Sequence, residues 1–151
     1  MKKTERIGMV RRVVDDIERR KAEALAACEK SVRAAQAKLE ELEAYRDAYL
    51  RDYARRAESG MNGAGVREYQ IFLTRLDEAL RQQAHVLAQA RLQRGAELES
   101  WQNAARRAAA VGNLATHWQA EERVAADKVE QKESDEHSQQ LWSRRIVVHG
   151  S

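Results

Sequence analysis

The chain contains no proline, and its one cysteine, Cys28, has no second cysteine to pair with. Proline interrupts helices more strongly than any other residue, so its absence permits long continuous helices. A lone cysteine excludes a disulfide framework and a zinc site built from several cysteines. We therefore expect Cys28 to act as a small apolar residue in a helical protein.

Aromatic residues make up only 5% of the 151 residues, whereas 34% are charged, and the mean hydropathy is −0.75. This composition argues against a bulky globular core and is typical of long exposed helices. No stretch approaches the ~20 consecutive apolar residues of a membrane span, and the first residues lead into no apolar signal-peptide region. The sequence thus predicts a soluble, cytoplasmic protein.

A concentrated stripe of one charge is also lacking. The 27 basic residues alternate with 24 acidic ones along the chain, which leaves a formal net charge of +3. A nucleic-acid-binding helical arm would gather its basic residues on one face. Such an arm stays an alternative function, but the dispersed charge argues against it.

Apolar residues do recur every three or four positions, in two segments that a glycine-containing stretch separates. This spacing is typical of coiled-coil helices, and a short flexible connection between two such seams indicates antiparallel pairing. The predicted seam positions are Ile7, Val10, Val14, Ile17, Lys21, Leu25, Cys28, Val32, Ala35, Leu39, Leu42, Arg46, Tyr49 and Tyr53 in the first arm, and Val66, Tyr69, Leu73, Leu76, Leu80, Gln83, Leu87, Ala90, Trp101, Ala104, Ala108, Val111, Ala115 and Trp118 in the second.

The sequence therefore predicts an all-α fold, namely a long antiparallel two-helix coiled-coil hairpin with a C-terminal helical overhang. The hairpin is expected to form a single domain over residues 1–145. Its first arm covers about residues 4–57, its turn 58–65 and its second arm 66–142. We expect residues 146–151 to form a flexible tail, as chain ends usually do.

The position of the turn predicts which residues face each other. With the turn centred near Asn62, Arg6 falls opposite Trp118. Residues beyond about Glu121 then overhang the first arm and have no partner within the chain. We expect this polar segment to become ordered on a binding partner.

Catalytic chemistry is not indicated, because an enzyme needs convergent groups in a cleft and a two-helix hairpin encloses none of useful volume. We expect no catalytic residues, no cofactor and no metal. The glycines at 60, 63 and 65 do not form a phosphate loop, since no strand precedes them and no Lys-Ser or Lys-Thr pair follows. His117 with Glu121 has the one-turn spacing that metal ligands use, but a solvated helix face explains it better.

Five of the eight aromatic residues gather on the two sides of the predicted turn. Two interpretations stay open. The rings broaden the core next to the glycines, or Tyr45 and Phe72 remain partly exposed at the flank and bind a protein partner. The five residues are Tyr45, Tyr49, Tyr53, Tyr69 and Phe72.

Residues 69–80, with the sequence YQIFLTRLDEAL directly after a Gly/Asn turn, resemble the signature segment of the FliJ family of flagellar export proteins. In the first arm, the spacing of Leu39, Leu42, Tyr45 and Tyr49 is similar to the pattern of that family. The second arm, through its tryptophans and the polar segment 127–145, resembles the C-terminal arm of the family.

This resemblance implies a non-enzymatic component of the flagellar type III export apparatus, similar in shape to the stalk subunit of rotary ATPases. Its implied partners are the export ATPase ring, the cytoplasmic linker of the large export-gate membrane protein, and the export chaperones, with no nucleic acid and no small-molecule substrate. Its implied location is the cytoplasm, peripheral to the inner membrane at the flagellar base. A coiled-coil scaffold, or the equivalent stalk of a virulence-type secretion system, would have the same rod design, so both functions stay open.

The gate-binding face of the family maps onto six positions of this chain, and each holds the expected residue type. One turn outside that face, Lys38 and Gln83 replace the glutamine and histidine that the family usually carries. The resemblance therefore predicts a protein-binding site for the export gate at Leu42, Tyr45, Tyr49, Phe72, Leu76 and Ala79.

The contact with the ATPase is expected at the opposite end, where the start of the first arm meets the C-terminal overhang. Charge makes four arginines plausible ring contacts, although a solvated helix face is the better explanation of any one of them. These arginines are Arg11, Arg12, Arg19 and Arg20.

Overall fold

The computed structural model describes the backbone of residues 1–149 and the side chains of residues 1–147. Helix α1 covers Lys3–Glu58, with 56 residues, and helix α2 covers Gly63–His149, with 87 residues. No strand occurs among these 149 residues. The prediction of an all-α fold made of two long helices is thus confirmed.

The connection between the helices comprises only residues 59–62, within the predicted 58–65. Gly60 has a φ of 94°, a left-handed conformation that glycine adopts without strain, and its amide donates to the Ala57 carbonyl at 3.3 Å. The Asn62 side chain accepts a hydrogen bond from the Gly65 amide at 2.8 Å and so caps the start of α2. Local chemistry therefore ends α1 and begins α2.

The C-terminal end of α2 lies beyond the predicted boundary of the second arm. The helix continues through His149 rather than stopping near residue 142. The flexible tail over residues 146–151 stays a prediction: residues 146–149 are helical, and residues 150 and 151 lie outside the described residues.

The chain divides into two compact units. The turn unit is Glu18–Ala104, which contains the later part of α1, the connection and the first part of α2. The terminal unit is Met1–Ile17 together with α2 from Ala105 onward. Each unit combines a stretch of α1 with a stretch of α2.

In the turn unit the two helices run antiparallel. Four hydrogen bonds connect the helices. From one bond to the next, the residue number on α2 increases as the residue number on α1 decreases. From the turn outward, the pairs are Asp52 with Tyr69, Arg46 with Asp77, the Ala35 carbonyl with Gln83, and Glu18 with Trp101.

The core of the turn unit is thin. Val32, Ala35 and Leu87 form a cluster of buried residues, and Leu39 and Ala90 pack against it while keeping part of their surface exposed. Tyr69 and Leu76 are buried nearer the turn. A seam between only two helices can shield one row of side chains from each, so the burial of each large aliphatic residue matters for stability.

Two polar residues of the predicted seam find partners across it. Arg46 Nε donates to Asp77 Oδ1 at 2.7 Å, and Gln83 Nε2 donates to the Ala35 carbonyl at 3.0 Å. Because both side chains are hydrogen-bonded, they interrupt the apolar row without leaving an unsatisfied polar group there.

The terminal unit is also held by α1 against α2. Ile7 and Val14 are buried, and Ala115 of α2 is fully buried. Lys3 Nζ lies 3.9 Å from the centre of the Trp118 ring, and Lys2 Nζ pairs with Glu122 at 3.3 Å. Small residues on α2 thus allow the start of α1 to approach closely.

Two details of this unit differ from the prediction. Lys3, rather than Arg6, faces Trp118. The connection covers residues 59–62, so its centre lies one to two residues before Asn62. Moving the centre of a hairpin by one residue moves the residue that faces a given position by two. Val10 and Ile17 were expected in the seam but are exposed, since the row of Ile7 and Val14 alone faces the narrow α2 surface.

We predict that Leu87→Ala lowers the free energy of unfolding by about 2–3 kcal/mol, because it leaves a cavity at the centre of a thin core. Leu87 is 5% exposed, whereas Leu92 on the same helix is 69% exposed. Leu92→Ala is therefore the matched control, with an expected change within about 0.5 kcal/mol. Urea unfolding followed by circular dichroism measures both. Equal midpoints for the two variants would contradict this description of the core.

Candidate functional site

The five aromatic residues near the turn form one continuous cluster. Tyr53 and Tyr69 lie 5.0 Å apart between ring centres, Tyr69 and Tyr49 4.7 Å, and Tyr49 and Phe72 4.3 Å. Tyr45 completes the cluster at 6.0 Å from Phe72 and 6.5 Å from Tyr49. Four of these separations are within the ~4.5–7 Å range of favourable ring–ring contacts, and the separation of Tyr49 and Phe72 is slightly shorter. We call these five rings the aromatic cluster.

The spacing along each helix explains why the rings meet. Tyr45, Tyr49 and Tyr53 are four residues apart on α1, so they lie on one side of that helix in successive turns. Tyr69 and Phe72 are three residues apart on α2, which likewise places them on one side. The short connection then brings the two sides together.

The members of the aromatic cluster differ in burial. Tyr69 is 8% exposed and belongs to the core, whereas Tyr45 is 54% exposed. Tyr49, Tyr53 and Phe72 are half-buried between these extremes. Both interpretations of the rings therefore describe part of the cluster: one end broadens the core, and the other presents aromatic surface to solvent.

The six predicted gate-binding positions do not share one environment. Tyr45, Tyr49 and Phe72 contact one another through their rings. Leu76 is buried in the seam, so it can support this surface but presents little of its own. Leu42 and Ala79 are half-buried.

The two departures from the family pattern also differ from each other. Lys38 is exposed, and its Nζ lies 4.0 Å from a carboxylate oxygen of Glu41. Gln83 instead uses its amide to hold the Ala35 carbonyl across the seam. Lys38 is therefore available at the surface, whereas Gln83 contributes to helix pairing.

A hydrogen bond fixes the buried end of the aromatic cluster. Tyr69 Oη donates to Asp52 Oδ2 at 2.6 Å. This bond is the main reason that the pKa of Asp52 lies below its ordinary value, and the nearby guanidinium groups of Arg56 and Arg55 lower it further against the opposing effect of desolvation. The same bond, followed by burial, raises the pKa of Tyr69.

Burial likewise raises the pKa of Tyr49, and the neighbouring Tyr45 adds to this effect. At neutral pH Tyr49 and Tyr69 are thus neutral and Asp52 is charged. The sequence alone does not reveal the role of Asp52, because that role depends on the register between the helices. The seam spacing alone places Tyr69 inside but does not show which carboxylate its hydroxyl reaches.

Possible metal ligands do not converge among the described side chains. His117 and Glu121 do meet, with Nε2 and Oε1 3.0 Å apart, but as a pair on one exposed helix face. Within the part of the chain that the structure describes, no group of three or more histidine, cysteine, aspartate or glutamate residues could hold a metal ion. Over the same residues, neither helix offers a stretch that is both long and apolar enough to cross a membrane.

We predict that the Asp52–Tyr69 bond gives stability a characteristic pH dependence. Because the pKa of Asp52 is lowered, its contribution is present above its ordinary value of 3.8 and is lost as pH falls through the lowered pKa. Because the pKa of Tyr69 is raised, its contribution is present below 10.0 and is lost as pH rises through the raised pKa.

Tyr69→Phe should accordingly lower the urea midpoint by a constant amount between these two limits, and the difference from the unmodified chain should shrink outside them. Tyr53→Phe, which leaves the Asp52–Tyr69 bond in place, is the control. If the difference between Tyr69→Phe and the unmodified chain stays the same at pH values below the acid limit, the bond does not form.

Comparison with known proteins supports the resemblance seen in residues 69–80. The family model described as Flagellar FliJ protein matches residues 2–146. No curated protein and no solved structure gives a significant match. FliJ proteins are components of flagellar export. Because the match runs through α1, the connection and nearly all of α2, the chain belongs to the flagellar FliJ family.

Proposed function

We propose that this chain is a non-enzymatic, stalk-like component of the flagellar type III export apparatus. In this role it activates the export ATPase ring, links the ring to the cytoplasmic linker of the export-gate membrane protein, and helps to recycle export chaperones. It acts in the cytoplasm, at the inner-membrane base of the flagellum. The observation that carries the proposal is the exposed aromatic edge beside the turn, on a chain that belongs to the FliJ family.

The aromatic edge has the properties of a protein-binding surface. Tyr45 exposes 54% of its surface and packs on Phe72 and Tyr49. A large ring that its neighbours already hold in place loses little conformational entropy when it is buried by a partner. Exposed, preorganised aromatic side chains commonly supply most of the binding energy at interfaces.

The buried end of the cluster supports this edge. The Asp52 carboxylate holds Tyr69, and Tyr69 packs on Tyr49, which in turn contacts Phe72. The position of the exposed rings thus depends on a hydrogen bond in the seam. We propose that Tyr45, Tyr49 and Phe72 contact the gate directly, while Leu42, Leu76 and Ala79 hold the two helices in register beneath them.

The ATPase contact is proposed for the terminal unit, because the start of α1 and the exposed end of α2 belong to this same unit. Arg11 and Arg12 are exposed there and could meet acidic groups of the ring. The Arg11 guanidinium also packs over Gly112, where a Cβ atom added to the glycine would lie in van der Waals contact with it. Arg11 therefore contributes to helix packing as well.

We predict that Tyr45→Ala and Phe72→Ala each weaken binding to the purified cytoplasmic domain of the export gate by at least about tenfold, or about 1.4 kcal/mol. Ile71→Ala is the matched control, since Ile71 is 55% exposed and lies beside Phe72 in the chain but outside the aromatic cluster. Isothermal titration calorimetry measures affinity, and circular dichroism checks that the variants stay helical. Unchanged affinity at unchanged helicity would refute the proposed gate contact.

We further predict that the full chain raises ATP hydrolysis by the purified export ATPase at concentrations where the ATPase is mostly monomeric. The physical reason is that a stalk bound at the centre of a ring contacts several subunits at once and so stabilises the assembled state. Steady-state hydrolysis and electron microscopy of rings are the two measurements.

The stimulation should persist in Tyr45→Ala, whose change lies in the turn unit. If neither hydrolysis nor ring formation responds to the folded chain, the stalk-like function is wrong. Binding to nucleic acid that falls steeply with salt would then favour a nucleic-acid-binding helical arm.

A further inference from the structure

A second apolar row lies on α1, away from the seam. Met9, Val10, Val13 and Ile17 are between 38% and 58% exposed. Their spacing places them side by side over two to three turns, next to the row that Val14 and its neighbours bury against α2. We call these four residues the terminal stripe. A contiguous apolar surface of this kind is typical of an interaction site.

The end of α2 carries a matching set of exposed apolar residues. Leu141, Trp142, Ile146 and Val147 are between 47% and 73% exposed. We call residues 141–147 the terminal segment. Every side chain from residue 119 to residue 147 is exposed. Because α2 is one continuous helix, this segment cannot fold back onto the terminal stripe of its own chain.

We propose that the terminal stripe is the docking site for the terminal segment of a second copy of this chain. Two copies associate through their terminal units, and each inserts the end of α2 against the start of the other's α1. The contact is reciprocal, so one two-fold symmetric dimer covers both stripes and both segments.

The lengths of the helices fit this arrangement. In each copy Glu122 lies beside Lys2, so α2 continues beyond the start of α1 from there. At 1.5 Å per residue, residues 122–147 extend about 38 Å, whereas the start of α1 up to residue 17 extends only about 22 Å. The overhang is therefore long enough to pass the partner's overhang and still cover the whole terminal stripe.

The positions of the apolar residues fit as well. When the terminal segment runs parallel to the partner's α1 with Trp142 beside Val10, Leu141 falls beside Met9. Ile146 then falls within one residue of Val13. Both rows have the spacing of successive helical turns, so the contact forms a third helix packed beside the existing pair.

Charge supports the same alignment. Residues 2–12 contain five basic residues and one acidic residue, whereas residues 127–136 contain five acidic and two basic residues. The alignment of the apolar rows places Asp135 beside Lys3 and Glu136 one residue further on. Opposite charges thus meet at the acidic flank, whereas Arg144 falls beside Arg12 among the apolar residues. The acidic flank favours a second copy over an occupant that lacks one.

The two contacts of the dimer are equivalent, so each copy contributes both its terminal stripe and its terminal segment to the buried surface. The dimer covers the end of the molecule that the proposed function assigns to the ATPase ring, so dimerisation and ring binding would compete. The dimer itself does not depend on that function.

Sedimentation velocity of the full chain over a range of concentrations tests the proposal. The unmodified chain should reach a dimer, and Val13→Glu and Trp142→Ala should each shift it to a monomer at the same concentration while helicity stays unchanged. Ile71→Glu is the matched control, since it introduces the same charge at an equally exposed position of the turn unit and should leave the dimer intact.

A mixture of Val13→Glu and Trp142→Ala provides the decisive measurement. In the mixed dimer both changes fall on one of the two contacts, and the other contact is unmodified. The mixture should therefore dimerise more strongly than either variant alone, which neither a pairing of two stripes nor a pairing of two terminal segments predicts.

Three results would overturn the proposal. The first is a monomer at every concentration of the unmodified chain. The second is a dimer that either Val13→Glu or Trp142→Ala leaves intact. The third is a mixture that dimerises no better than its components. A monomeric chain whose stimulation of the export ATPase is lost in Val13→Glu would instead assign the terminal stripe to the ATPase.

Discussion

Each helix of this protein depends on the other to bury its apolar row. A single helix of this composition would expose that row to water along its whole length, and helical stability in proteins comes mainly from such packing rather than from propensity. The seam is thin, with residues such as Val32 and Leu87 at its centre. Hydrogen-bonded polar residues, Arg46 and Gln83, occupy two of the places where the apolar row is interrupted. The thin seam leaves large faces of both helices free for other molecules.

The aromatic cluster shows how the seam and the proposed binding surface are connected. Its inner member, Tyr69, is held by Asp52, and its outer member, Tyr45, is exposed. Ring contacts run continuously from one to the other. The surface that we propose for gate binding is thus an extension of the core, so its shape is set by the same packing that holds the helices together. The terminal unit, with its terminal stripe and its exposed end of α2, presents a second apolar surface, which is mainly aliphatic but includes Trp142 and is flanked by charge.

Much of the architecture could be predicted from the sequence. The absence of proline and the three-and-four spacing predicted two long helices, and the glycine-containing stretch predicted the turn. The resemblance in residues 69–80 predicted the family, which the match over residues 2–146 confirms. The six gate-binding positions remain predictions. The structure does show that three of them, Tyr45, Tyr49 and Phe72, form one contacting group.

What the sequence determined by itself is local: helices form where nothing breaks them, and side chains at one-turn spacing share a face. What only the tertiary structure decided depends on register. The turn is centred one to two residues before its predicted position, so Lys3 rather than Arg6 lies opposite Trp118. The same register places Asp52 at the hydroxyl of Tyr69. The tertiary structure likewise decided that Val10 and Ile17 stay exposed beside the buried Val14. Periodicity cannot distinguish two adjacent apolar rows on one helix, because only the width of the facing helix determines how many rows it can cover.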